Sequence, residues 1–197
     1  MPYRNTVRLE EDEEAQVPYG AALRSDGSGN FGFKNLKLNP ALAAEVPELH
    51  ADPDLRALVL AINAPETGLF SLGCASEDIE ELSGHRVSGY VAFAWNEIYA
   101  ASSWRWYGSM FHNLKKLLEK TGFDQPFEFD WIIGRTAFCN RGVAHGWAAT
   151  VRLNTDICDS REKARMVWAR SLSALSTVLG AVPSRRGSHL SAWIRRD

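Results

Sequence analysis

Cysteine is scarce in this 197-residue chain, and its three residues, Cys74, Cys139 and Cys158, form an odd set without Cys-x-x-Cys spacing. A disulfide framework is therefore not expected, and a reducing compartment is the default reading. Metal-ligand spacing is missing as well. His50, His85, His112, His145 and His189 make no His-x-x-x-His pair, so no metal site is expected. Long hydrophobic runs are absent: ALVLAI at 57–62 is far too short to cross a bilayer. The opening MPYRNTVRLEEDEE lacks the apolar stretch of a secretory signal. A cytoplasmic protein without membrane attachment is the expectation. Neither a phosphate-cradling G-x-x-x-x-G-K-[ST] loop nor a G-x-G-x-x-G turn precedes a helix, and G-x-S-x-G does not occur. No cofactor is expected.

Charge is nearly balanced at −2 but unevenly placed. Residues 1–28 carry six acids against three Arg, whereas residues 181–197 carry four Arg against Asp197. A basic groove for nucleic acid is not indicated, since Arg185, Arg186, Arg195 and Arg196 with Trp193 make only a short basic tail on a mildly acidic body. The acid run followed by SDGSGN at 25–30 predicts a mobile N-terminal tail over 1–29. Residues 30–182 are expected to form one domain, with a second tail over 183–197. Within that tail Trp193 and Ile194 suggest docking on the domain or on a partner.

What the chain does carry is periodicity. NFGFKNLKL at 30–38 reads as a strand. At 52–62, Asp52 as N-cap, Pro53 at the first helical position and Leu55, Leu58, Val59 and Ile62 at helical spacing favour a helix, with a buried strand as the alternative. LFSLGCA and RVSGYVAFAWN read as strands before a helix that stops at Gly122; FEFDWIIGRTAF and VAHGWAATVRLN read as strands before a helix that stops at Gly180. On a 100° wheel, WRWYGSMFHNLKKLLEK at 104–120 separates cleanly. Trp104, Trp106, Tyr107, Met110, Phe111, Leu114, Leu117 and Leu118 share one side, with Phe111 and Leu118 near the middle and the Trp residues at the borders. The second helix gathers Ala164, Trp168, Leu172, Leu175 and Leu179 on one face and starts with an Asp159-x-x-Glu162 box.

Strand, strand, helix, Gly thus occurs over 68–122 and again over 127–180. Gly89 aligns with Gly146, Asn96 with Asn154, Leu114 with Leu172 and Leu117 with Leu175, which raises an internal ββα duplication. The expected fold is α+β: a two-layer sandwich with an antiparallel sheet of four or more strands and both long amphipathic helices on one face.

Few residues point to chemistry. Cys158 precedes a helix, where the dipole favours a thiolate, but Asp159 beside it works against that anion. Glu97 and Asp156, each where a strand exits toward its helix, are the candidates for paired-carboxylate acid–base catalysis in a small hydrolase or lyase. A small-ligand sensor, with a pocket between sheet and helices lined by Tyr90, Trp95 or Trp147, is a further reading. The leading expectation is non-catalytic: a module that binds a protein partner, in the manner of an immunity protein or antitoxin, through Trp106, Arg105, Trp193 and Trp95, the residue types of which binding hot spots are made.

Overall fold

The computed structural model describes residues 2–23, 29–140, 142–185 and 187–194. Most of the SDGSGN cluster, and Arg186, Arg195 and Arg196, lie outside the described residues. The acidic N-terminus differs from the tail expected of it: it forms strand β1 (Arg4–Val17). The short strands β2 (Ala22–Leu23) and β3 (Gly29–Asn30), a 3-10 turn (Pro40–Glu45), and helices α1 (Pro47–Ala51) and α2 (Pro53–Asn63) follow. The hairpin of β4 (Leu69–Glu81) and β5 (Gly84–Trp95) leads through α3 (Ile98–Ala101) to α4 (Arg105–Thr121). The hairpin of β6 (Phe127–Cys139) and β7 (Val143–Thr155) leads to α5 (Arg161–Gly180), and α6 (Leu190–Trp193) comes last.

The chain is α+β, with a five-stranded sheet ordered β1-β6-β7-β5-β4. It is mixed rather than antiparallel, because β1 runs parallel to β6. Edge position explains why the strand was invisible in the residue pattern: its backbone pairs on one side, while its side chains are almost all exposed up to Val17. Such a strand needs no alternation of apolar and polar residues, and its charges discourage pairing with foreign strands.

Register assigns the two faces. Val91 pairs with Val151, Val151 with Trp131 and Trp131 with Val7, so these four lie in one row on one face. Phe93, Ala149, Ile133 and Leu9 form the next row. The long helices pack here. Tyr107 of α4 lies 6.3 Å from Phe93 and Phe111 lies 6.3 Å from Trp131, ring centroid to centroid. Trp168 of α5 lies 6.1 Å from Phe127. Gly89 permits this approach, since a Cβ there would sit 2.9 Å from the Trp168 ring and 2.3 Å from the Ala75 carbonyl oxygen. Burying each such large side chain is worth about 1.5–3 kcal/mol. In α4 the buried residues are Tyr107, Met110, Leu114 and Leu118; Phe111 is only half-buried, and Trp104 is exposed as the N-cap.

The opposite face is divided. Along Thr6, Asp130, Arg152 and Tyr90 it is polar, with Arg4 to Glu128 at 2.9 Å, Arg8 to Asp130 at 2.6 Å and Ser88 to Asn154 at 2.6 Å. Toward the other end it is apolar and closed. Phe70, opposite Ala94, packs against Phe138 at 6.3 Å, and Phe33, Leu36, Leu190 and Ile194 are buried in the same core. The segment 30–38 is therefore not the strand its alternation suggested. Phe33 and Leu36 point inward while Phe31 and Leu38 are exposed, and Asn35 donates to the carbonyls of Ser191 and Ile194 at 2.8 and 3.2 Å. The C-terminal segment docks on the protein's own core.

Asp52 begins α2 as expected, and it does more than cap. Oδ1 accepts the Leu55 amide at 2.9 Å; Oδ2 accepts the Ser76 hydroxyl at 2.8 Å, Arg165 at 2.9 Å and the Trp168 indole at 2.8 Å, all with the side chain fully buried. Arg165 continues to Asp78 at 2.7 Å, and Asp78 meets Arg161 at 2.6 Å. The α5 cap is Ser160, accepting the Lys163 amide at 3.2 Å, rather than Asp159.

Asp52→Ala is expected to lower unfolding free energy in urea by about 3–5 kcal/mol, the cost of stripping one partner from a buried ion pair. Ser160→Ala, an ordinary cap removal, is expected to cost about 1 kcal/mol. The hydrogen bond from Arg165 holds the Asp78 carboxyl below its usual range, with burial opposing and Arg161 adding to it. The folded state thus releases the proton more readily than the unfolded chain. The contribution is complete above the unfolded value near pH ~4 and is lost as pH falls through the lower folded value. Asp78→Asn is expected to flatten that acid limb in stability measured against pH.

Candidate functional site

Four residues singled out in the sequence, Trp95, Arg105, Trp106 and Trp193, come from β5, α4 and α6, and the fold brings them to one end of the sheet. Asn96 makes the junction. Its carbonyl accepts the Leu190 amide at 2.6 Å and its side-chain oxygen accepts the Ser191 amide at 2.8 Å. Asn140, in the turn between β6 and β7, donates to the Trp193 carbonyl at 2.6 Å. Trp95 and Trp106 meet edge to face at 6.0 Å, and the Arg185 guanidinium lies 4.8 Å from the Trp106 ring and 6.0 Å from that of Trp95. Arg105 lies 5.9 Å from the Trp104 ring.

These side chains are not equally available. Trp95 is only 4% exposed and backs the stack from behind. Trp106 and Trp193 are half-buried, and Arg105 is exposed. The outermost aromatics are two that sequence reasoning did not select: Tyr99 at 72% and Trp104 at 40% exposure. Tyr99 sits on α3, whose N-terminus is capped by Glu97. Both carboxylate oxygens accept there, from the Tyr99 and Ala100 amides at 2.8 Å each. The signal for Trp104 was its place at the border of the amphipathic arc.

A buried hydroxyl shapes this corner. β5 and β7 pair as far as Phe93 and Ala149. Beyond that point the Tyr107 hydroxyl stands between them, accepting the Trp95 amide at 3.2 Å and donating to the Trp147 carbonyl at 2.5 Å. Burial pushes its ionisation far above the ordinary phenol range, so it remains a neutral donor.

The topology keeps the two proposed catalytic carboxylates apart. Glu97 follows the end of β5 and Asp156 the end of β7, and these strands are antiparallel with Ser88 opposite Asn154. At a rise of ~3.4 Å per residue the two residues are separated by roughly 20 Å or more. Tyr90 likewise projects from the face opposite Trp95 and Trp147, so the three do not share one face of the sheet. Among the thiols, burial pushes Cys74 up to about 12 and raises Cys158, which keeps both as S–H. Burial lowers Lys37 to about 8, but its ammonium donates to the Ala64 carbonyl at 2.5 Å and to that of Thr67, closing the turn after α2. Among the described residues no group of three or more His, Cys, Asp or Glu is placed to hold a metal ion, and no helix is long and apolar enough to cross a membrane.

Comparison with protein-family models, with curated proteins and with solved structures gives no match.

Tyr107→Phe leaves the buried Trp95 amide and the half-buried Trp147 carbonyl without their shared partner. It is expected to cost about 1–3 kcal/mol in chemical denaturation, with the indole emission of Trp95 and Trp106 shifted as the strand ends move.

Proposed function

We propose that this protein is a non-catalytic protein-binding module that acts by occupying a partner's surface, as immunity proteins and antitoxins do. One observation carries the reading. Trp104 stands exposed beside Arg105, Tyr99 stands exposed on the neighbouring α3, and Arg185 stacks on Trp106 at the same end of the sheet. Aromatic and Arg side chains on a fixed backing are the material of interface hot spots, because little conformational entropy is lost when they are covered. The guanidinium groups of Arg105 and Arg185 outnumber the Glu97 carboxylate that caps α3, which gives the corner a positive character suited to an acidic or polar partner surface.

For the frame, our reading is a two-layer sandwich built by ββα duplication, with 30–182 as the domain core and β1 added at its edge. The order β6-β7-β5-β4 is symmetric about the β5–β7 pair, and each long helix reaches the hairpin of the other half: Phe111 meets Trp131, and Arg165 meets Asp78. These contacts support a shared origin of the halves.

The test is affinity capture from the native host with the full chain and with a Tyr99→Ala/Trp104→Ala/Arg105→Ala variant. A partner retained by the parent chain is expected to fall at least about tenfold with the variant, while Tm changes by only a few degrees. Equal capture by the two proteins would remove the corner from the interface and with it this reading.

A further inference from the structure

The sheet face opposite Trp95 carries a groove that the protein-binding reading does not use. A cavity of about 410 Å³ runs over the small residues Ala92, Gly134, Ala148 and Thr150. It shares Tyr19, Tyr90 and Gly73 with a smaller cavity of about 130 Å³ that continues inward beside Cys74 and Glu48. The two hydroxyls converge above Gly73, where a Cβ would lie 2.9 Å from Tyr19 Oη and 3.7 Å from Tyr90 Oη. Tyr19 is fixed by donating to the Leu72 carbonyl at 2.7 Å and by an edge contact with Phe33.

Charge in this groove is unevenly neutralised. Glu10 is paired with Arg8 at 3.0 Å and Glu45 with Lys34 at 3.1 Å, Glu14 lies 2.8 Å from His145 Nδ1, and Glu13, on the larger cavity, has no such partner among the described residues. Glu48 lines the inner cavity, and its side chain has no ion-pair or hydrogen-bond partner among the described residues. Lys34 lines the same cavity, but its ammonium is engaged by Glu45. Tyr19 and Cys74 are pushed up to about 12 and Tyr90 is raised, mainly by burial, with the Glu48 charge adding to each; all three stay neutral. Arg135 lines the larger cavity, not the smaller one with Glu48, and its guanidinium lies 5.8 Å from the Trp147 ring.

We propose that this groove binds an organic cation: an ammonium or guanidinium group held between Glu48 and the Tyr19 and Tyr90 rings, with a slender apolar body lying along the small-residue floor. A cation against aromatic rings with an opposing carboxylate is favoured on both counts, and the larger cavity has the volume of a small-ligand site. The two sites lie on opposite faces, so this proposal stands or falls separately from the aromatic corner.

The test is calorimetric titration of the full chain with n-butylguanidinium, with n-butylurea as its neutral counterpart and with an acetylated Gly-Arg-Gly amide. Saturable binding of the guanidinium over the urea is expected, weakened about tenfold or more by Glu48→Gln. Tyr90→Ala is expected to weaken it also, while Glu119→Gln on α4 leaves it unchanged. Tighter binding of the peptide would identify the source as an Arg side chain of a partner, and tighter binding of the free guanidinium a small molecule; either supports the site. Absence of binding at millimolar concentration, equal binding of the urea, or equal weakening by Glu119→Gln would overturn the proposal. Thermal melts of Glu48→Gln and Tyr90→Ala verify that each variant is folded; if one is not, the other decides.

Discussion

A carboxylate shut away from water, that of Asp52, joins three elements distant in sequence: the start of α2, strand β4 through Ser76, and α5 through Arg165 and Trp168. Burying a charge is costly unless every lone pair finds a donor. Here the donors come from separate parts of the chain, so the penalty is offset only in the assembled fold. That makes the interaction specific rather than merely attractive. At the far end of α2, Asn63 repeats the principle with a neutral group, donating to Ser71 Oγ at 2.7 Å and accepting the Ser71 amide at 3.1 Å. A helix pinned to β4 at both ends covers that edge of the sheet, and Leu55, Leu58, Val59 and Ile62 fill the space between the pins.

Both hairpin–helix units, and α2 itself, were legible in the residues because each buries a regular stripe. The Leu55–Ile62 spacing specified a helix at 53–63, and the alternation in β5 and β7 gave the sheet its apolar face. What escaped notice depends on backbone pairing or on distant partners. β1 is recruited by its ladder with β6 and buries little, so composition suggested a tail. Phe33 and Leu36 are buried three residues apart under an irregular strap, and the accidental alternation of NFGFKNLKL suggested a strand. Asp52 could be read as a cap, yet nothing local announced Arg165 and Trp168, more than a hundred residues away.

The candidate corner was half legible for a related reason. Trp95, Arg105, Trp106 and Trp193 do converge, but residue type alone does not reveal which ring supports and which is presented. Trp95 lies on the helix-bearing face, where α4 and the Arg185 side chain cover it. Tyr99 passed unnoticed because a four-residue helix leaves no periodicity to detect, and Glu97, the acid that drew attention as a catalyst, is the cap that creates that helix.

The exposure of Tyr99 and Trp104 traces back to the parting of β5 and β7. Had the ladder continued past Phe93 and Ala149, the Trp95 amide and Trp147 carbonyl would face strand partners. Instead both are taken by the Tyr107 hydroxyl, which drives a side chain of α4 into the sheet end. The widened end admits α3 against β7, where Gly146 makes room: a Cβ there would lie 2.8 Å from the Ala101 carbonyl oxygen. With Ala100 and Ala101 directed inward, Tyr99 is left facing solvent, and the chain turns from α3 into α4 through Trp104. A polar insertion in the core thus determines which aromatic rings the surface presents, and it does so without any contact between Tyr107 and those rings being required.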